Sequence, residues 1–351
     1  MRFSRRRLNR TLLLRQHLLE RVRLTPERLV EHLVGLQAQE QLAPYLGLAA
    51  RLTDLDPHEV TRALEDKRLV RVLSLRDTVH LHVPDDALAL PVWAAPVRDR
   101  ELRASQSIGR AREVDPEAFT AAVADILAEG PVASGRLGAA LANRFPDHQA
   151  TALGHVARVR EVLAQLPPRG TWNPPAGSTG VVYDHLATWL GRPLSDPDVP
   201  AVVRRYLRAF GPATAADVTA WSGITRLGAV LSAMADLEQH EDADGRTLYD
   251  VSGAPVADED APAPVRLLGA YDNVWLSHAS RDRVTEPDAR KEWMGSNGGV
   301  GNTLFVDGWL AGIWKAEDGR VVVQKLLRDL TPAEQRELDD ETARVEALLA
   351  A

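Results

Sequence analysis

Gln37 and Gln39 stand two positions apart in Gly35-Leu36-Gln37-Ala38-Gln39-Glu40-Gln41, a run opened by a glycine and followed by Pro44. On a helix, side chains two apart point about 200° away from each other; in an extended segment they lie on one side. The flanking Gly and Pro favour an extended or irregular path. Two amides then project from one edge. Glutamine does not titrate, so neither residue can be a general base or a nucleophile, but each amide offers two donors and an acceptor. Such a pair can hold and aim a water. That suffices only where the leaving group is already activated, as in an N-glycosidic bond to a cationic N7-alkylated guanine. The base departs, charge builds on the sugar as an oxocarbenium-like ion, and the placed water captures it. The same pair also fits a polar helix end with no chemistry, and spacing alone leaves both readings open.

The surrounding elements must position this segment. Leu8, Leu12, Leu13, Leu19 and Val22 give a helical stripe. Thr25-Pro26-Glu27 predicts a capped helix start, with Gly35 ending that helix. Further helices are expected after Pro44, carrying Leu46, Leu48 and Leu52, and from Pro57 through Val60 and Leu64. Leu69–Leu73 and Thr78–Val83 read as two strands turning near Arg76-Asp77. Helices followed by such a hairpin make a winged-helix pattern.

A faint repeat extends the pattern. Gly130-Pro131 leads to Ser134 and an apolar helix around Leu137–Leu141, and Gly211-Pro212 leads to Thr214 and Val218–Trp221. In both, a Ser or Thr is expected to cap a short helix, as at the start of a helix-turn-helix unit. The acidic stretch from Asp236 to Pro264 reads as a wing plus an exposed connection. Strand-like runs follow at Val265–Leu268, Val274–Leu276, Thr303–Val306, Trp309–Trp314 and Arg320–Gln324. Thr331-Pro332-Ala333-Glu334 predicts a capping box opening a last helix through Leu349. The expected fold class is α+β: three tandem winged-helix units over 1–115, 116–200 and 201–264, then a small β-rich part over 265–351 with the final helix.

Composition bounds the chemistry. The 351 residues include no Cys, which excludes disulfides, thiolate nucleophiles and Cys-bound zinc. No apolar run approaches the ~20 residues needed to span a bilayer. The basic start, Met1 to Arg7, lacks the apolar core of a signal peptide, because Arg15 cuts Leu12-Leu13-Leu14 short. A cytoplasmic protein, nucleoid-associated when bound to DNA, is expected. The net charge of −7 argues against a DNA partner at first sight, but the distribution is uneven. The first 23 residues carry eight Arg against one Glu. They offer either a phosphate-facing surface or a solvated helix face.

Several segments together resemble the winged-helix DNA glycosylases of the AlkZ/YcaQ type. They are Arg7–Gln16 followed by Gly35–Gln39 and Pro44–Arg51; Arg76-Asp77-Thr78-Val79-His80-Leu81; Arg205-Tyr206-Leu207 through Phe210–Thr214, Asp217 and Trp221-Ser222-Gly223; and Leu267-Leu268 through Asp272-Asn273-Val274, Ser277-His278 and Arg281-Asp282-Arg283. They occur in the family's order and cover nearly the whole chain. The resemblance implies a monofunctional glycosylase acting on alkylated purines in double-stranded DNA, including bulky N7-guanine adducts and, in some members, interstrand crosslinks. It implies repair, or self-resistance to an alkylating antibiotic, by a monomer without cofactor or metal. The family's catalytic Gln-x-Gln falls on Gln37 and Gln39, which sides with AlkZ over the Gln-x-Asp of YcaQ-like relatives. Asp77 departs from the resemblance, which implies a small residue there, usually Gly.

Other candidates follow. Arg76, Thr78, His80 and His82 alternate on one strand and offer a polar wall near lesion or backbone, or else a solvated strand face. His278, Arg281 and Arg283 fall in an expected turn that either reaches the groove at the lesion or is simply an exposed basic turn. The glycine-rich Gly295–Asn302 lacks the Lys-Ser/Thr of a phosphate-binding loop and reads as a strand connection. The rival function is a non-enzymatic winged-helix DNA-binding or drug-sequestering regulator. It is weakened because Ala215–Trp221 holds Asp217 and no Lys or Arg. A hydrolase of small N-glycosides is a third reading, supported only by the acidic total charge.

Overall fold

Ser4 accepts a hydrogen bond from the Arg7 amide and opens α1 (Arg5–Arg15), which follows a two-residue strand, β1 (Arg2–Phe3). The helix is shorter than its leucine stripe, leaving Leu19 and Val22 outside. The cause is local: His17 takes φ +56°. Its amide bonds the Leu14 carbonyl at 3.0 Å and the Leu18 amide bonds Leu13 at 2.8 Å, a Schellman end. α2 (Pro26–His32) starts as expected, with Thr25 capping the Arg28 amide and Pro26 in the first turn. It ends in the same motif, Val34 at φ +53° and Gly35 at +105°. Two successive positive-φ residues swing the chain into β2 (Leu36–Gln37). α3 (Ala43–Ala49) and α4 (Pro57–Glu65) follow.

The computed structural model describes residues 1–172, 180–286 and 301–351. The chain forms two compact units, Met1–Val60 with Asp198–Ala351 as unit 1 and Thr61–Pro197 as unit 2.

In unit 2, β3 (Val70–Leu73) and β4 (Val79–His82) form the expected hairpin. Then come α5 (Pro84–Trp93), α6 (Ala95–Ala104), α7 (Pro116–Leu127), β5 (Val132–Ala133), α8 (Ser134–Arg144) and α9 (Ala150–Arg160). β6 (Leu163–Gln165), β7 (Val182–His185) and α10 (Leu186–Leu190) complete it. Its five strands run β4-β3-β6-β7-β5, every neighbour antiparallel. Phe119, Val123, Leu137, Leu141, Leu153 and Val156 share one core, and burying each such side chain is worth about 1.5–3 kcal/mol. α8 and α9 approach closely at Gly138, where a Cβ would stand 2.5 Å from the Ala150 carbonyl oxygen. Ser134 does not cap α8; it is the first helical residue, and Ala133 before it has no side chain able to cap.

Unit 1 resumes with α11 (Val199–Phe210), α12 (Ala215–Ser222) and α13 (Leu227–Ala233). Thr214 does cap α12, in a reciprocal box with Asp217. β8 (Leu237–Asp242) and β9 (Thr247–Val251) form an antiparallel hairpin within the acidic stretch, and β1 joins β8 in parallel. β10 (Arg266–Leu268) is followed by a short helix, α14 (Asn273–Leu276), where the sequence reading expected a strand. Asp272 decides this by accepting a hydrogen bond from the Val274 amide at 3.1 Å and starting the helix. β11 (Asn302–Val306), β12 (Trp309–Glu317) and β13 (Arg320–Leu326) extend β10 into a four-stranded antiparallel sheet. α15 (Pro332–Leu349) opens with the expected Thr331/Glu334 box. Residues 295–300 of the glycine-rich run lie outside the described residues. The fold class is thus mixed α+β.

The N-terminal arginines do not form a free phosphate-facing surface. Arg5 donates to the carbonyls of Asp282 and Thr285 and pairs with Glu286. Arg6 and Arg10 share Asp307, Arg7 faces Glu259, and Arg15 makes a two-point pair with Asp250 at 2.8 Å. The cationic face of α1 is spent on later segments of its own unit.

Candidate active site

Gln37 lies in the extended pair Leu36–Gln37 and is buried, whereas Gln39 lies in the bend that follows and is exposed. The extended path expected from the flanking Gly and Pro therefore holds at Gln37. Fully buried Ala38 separates the two amides. What fixes the segment lies 238 residues further on: the Asn273 side-chain amide donates to the Gly35 carbonyl at 3.0 Å. Asn273 is in turn placed by Asp272, which receives two hydrogen bonds from the Arg51 guanidinium at 2.8 and 2.7 Å. Arg51 also donates to the Gly47 carbonyl and to Gln16 Oε1, both at 2.9 Å. Arg51 and Asp272 have essentially no exposed side-chain surface. A charge pair this deep needs every partner it has, so α1, α3 and the start of α14 are held as one frame behind Gly35-Leu36-Gln37.

His278, Arg281 and Arg283 belong to the same unit but do not form an exposed basic turn. His278 and Arg283 are buried, and Arg281 is intermediate. His278 Nε2 donates to the Phe210 carbonyl at 3.1 Å, which leaves Nδ1 to accept from the Ser277 hydroxyl. Burial, helped by Arg283, pushes the imidazole down to about 3, so it is neutral. Asp217 accepts from the Ala279 amide at 2.9 Å and faces Arg283 at 3.6 Å. Burial would raise its carboxyl, but Arg283 and the amides of Thr214 and Ala279 hold it below the usual carboxylate range. Tyr206 donates to the Ser277 carbonyl at 2.6 Å. These residues brace the segment after α14 against α11 and α12. The sequence singled out the cluster but could not show that burial turns it inward.

Unit 2 brings Arg76, Thr78, His80 and His82 together. His80 Nδ1 donates to the Thr78 carbonyl at 3.0 Å and Nε2 accepts from Arg76 at 3.1 Å, a pairing that only the neutral ring allows. Burial first, then Arg76 and His82, lowers His80 well below its ordinary value. The His80 and His82 rings stack at 5.4 Å, and His82 Nε2 lies 2.8 Å from Ser74 Oγ. The Thr78 hydroxyl donates to the Leu75 carbonyl at 3.1 Å.

Arg76 and Asp77 take φ of +55° and +57°, which explains why a glycine would suit position 77. The Asp77 carboxyl is surrounded by Arg158, Glu101 and Arg98, and burial raises it to about 6 against the pull of Arg158. A native value above the unfolded one means the folded chain binds the proton more tightly. Stability therefore falls as pH rises from about 4 to about 6, and the full cost remains above that. Asp77→Asn keeps a residue tolerant of the left-handed conformation. It should stabilise the protein at pH 8 by about 1 kcal/mol, after discounting for partial exposure, and not at pH 4. Thermal melts at the two pH values check this, and an equal gain at both would sink the assignment.

Among the described residues no group of three or more His, Cys, Asp or Glu is placed to hold a metal ion. No described helix is long and apolar enough to cross a membrane.

The sequence profile of the AlkZ-like family, described as DNA glycosylase AlkZ-like, matches residues 30–348. An interstrand DNA cross-link repair glycosylase from Streptomyces sahachiroi is 28% identical over 336 residues, covering 88% of this chain and 87% of its own. The solved structure of the Streptomyces sahachiroi DNA glycosylase AlkZ covers 100% of this chain and 98% of its own, with a TM-score of 0.82 at 24% identity. That likeness carries the fold, and the profile carries the chemistry. The chain belongs to the AlkZ-like DNA glycosylase family, and it is an enzyme that cleaves the glycosidic bond between a DNA base and its sugar.

Proposed function

We propose that the chain excises N7-alkylated purines from double-stranded DNA, bulky guanine adducts and interstrand crosslinks included, with Gln37 and Gln39 placing the attacking water. The observation that carries this reading is Gln37 itself: a buried amide in an extended segment whose backbone is tethered through Asn273. An amide so held orients a water and stabilises developing positive charge without moving a proton. The name of the Streptomyces sahachiroi relative supports crosslinks as substrates.

Three winged-helix units are part of the proposal. The order helix, short strand, helix, helix, strand, strand recurs in α2-β2-α3-α4-β3-β4 and in α7-β5-α8-α9-β6-β7. It recurs a third time in α11-α12-α13-β8-β9, with the bridge from Ala213 to Tyr249 standing for the short strand. The divisions 1–115, 116–200, 201–264 and 265–351 follow those repeats. Arg76, Thr78 and His80 are proposed to face the lesion or its backbone. His278, Arg281 and Arg283 act there through the segment they brace. The working enzyme is proposed to be a cytoplasmic monomer engaged in repair or self-resistance.

The test is incubation with duplex DNA containing N7-methylguanine or a bulky N7-guanine adduct, followed by alkali and gel analysis. Strand cleavage at the adduct is expected. No abasic-site cleavage with either substrate would overturn the substrate class. The regulator reading is set aside by family membership, and Asp217 of α12 is spent on its own capping box.

A further inference from the structure

A cavity of about 450 Å³ opens in unit 1 between the C-terminal ends of α1 and α2, the outer face of α11 and the turn after β9. Its size falls within the ~300–1,000 Å³ typical of small-molecule sites. Both helices end in left-handed turns, and at the first of these the residue is His17 where glycine is usual. A ring, instead of a hydrogen atom, therefore stands in the wall. The His17 and His32 rings lie 4.9 Å apart at 38°. His32 Nε2 is 2.7 Å from the Arg15 carbonyl oxygen, so it carries the proton and Nδ1 is the acceptor.

A helix C-terminus favours imidazolium, but burial, with His32 and Arg51 nearby, pushes His17 down to about 4. Burial also lowers His32. Both rings are uncharged at neutral pH and offer π faces. Leu14, Val251 and Pro255 supply apolar wall. Arg15, although it lines the cavity, is occupied by Asp250 and by the carbonyls of Leu207 and Pro255. Arg208 at the mouth is exposed and has no ion pair among the described residues.

We infer that this cavity binds a planar heteroaromatic ring carrying an anionic group, with the ring against the His17–His32 pair and the anion on Arg208. A guanidinium pairs strongly with phosphate or carboxylate, and sequence-tolerant stacking on side-chain rings suits any nucleobase. A nucleotide has this chemistry whether it arrives free or as part of a DNA strand. The inference does not depend on the role given to Gln37, because the readout is binding of a free nucleotide and not excision.

The experiment is calorimetric titration of the full chain with 2′-deoxyguanosine 5′-monophosphate, with the imidazole resonances of His17 and His32 followed by NMR. Saturable one-site binding is expected, with Kd between about 1 μM and 1 mM. Deoxyguanosine alone and inorganic phosphate alone should each bind at least about tenfold more weakly, since each keeps half of the contacts. His17→Gly keeps the left-handed helix end while deleting the ring, and Arg208→Ala changes an exposed side chain. Both variants should fold normally and lose about tenfold or more in affinity. Competition by undamaged duplex would assign the nucleotide to DNA; its absence would assign a free ligand. Failure to saturate at millimolar nucleotide, or unchanged affinity in both variants, would overturn the inference.

Discussion

Gln37→Ala is expected to lower the single-turnover rate of base excision by about 10²–10³-fold, the scale of losing one preorganised hydrogen-bonding group at a reaction centre. Affinity for adduct-containing duplex should stay nearly unchanged, because charged phosphate contacts dominate DNA affinity and Gln37 is a buried, uncharged side chain. The fractional loss should also be the same at pH 6 and pH 9, since an amide has no protonation state to lose. A general base at this position would instead give a loss that shrinks on the acid side. Rates from alkali-treated gels, with binding followed separately by anisotropy, decide the matter. Equal excision by variant and wild type would remove Gln37 from the mechanism.

Asp272→Ala should destabilise unit 1 by about 3–5 kcal/mol, because it leaves the Arg51 guanidinium buried with only the Gly47 carbonyl and Gln16 Oε1 as acceptors. Loss of the cap on α14 adds to this. Against a total stability of roughly 5–15 kcal/mol, such a loss is large. The double variant Arg51→Met, Asp272→Leu should recover a good part of it, because removing both charges also removes the cost of burying them. Urea unfolding measures each change. A loss under about 1 kcal/mol for Asp272→Ala would show that water reaches the pair and would end its role as the frame behind Gln37.

Local signals carried a long way in this sequence. The Thr25 cap, the Pro26 start and the Thr331–Glu334 box all stand where their residue types put them, because a cap depends on neighbours three residues away. The hairpin around Arg76-Asp77 was legible for the same reason. Val274-Trp275-Leu276 misled because three apolar residues cannot distinguish a strand from a helix turn, and Asp272 just before them settled it. The leucines of α1 overran its end because nothing in a hydrophobic stripe announces a histidine at φ +56°. At the candidate site, the glutamine pair was visible as a pattern. Its support was not, because Asn273, Asp272 and Arg51 meet Gly35 only through tertiary contacts. The basic N-terminus misled most, since composition counts charges and does not show that Asp250, Glu259 and Asp307 already engage them.

The partners of α1 also govern how the chain can be made. Arg10 meets Asp307 and Asn9 meets Gly308, nearly the whole length of the chain away. Thr61–Pro197, by contrast, is continuous. At ribosomal speeds of about 5–20 residues per second, Thr61–Pro197 can emerge and collapse while α1 waits roughly 15–60 seconds for Asp307. Arg15 and Arg7 wait for Asp250 and Glu259, and Arg6 and Arg10 wait longest, for Asp307. The stretch around α1 is therefore transiently a polycation, neutralised stepwise as these carboxylates are made.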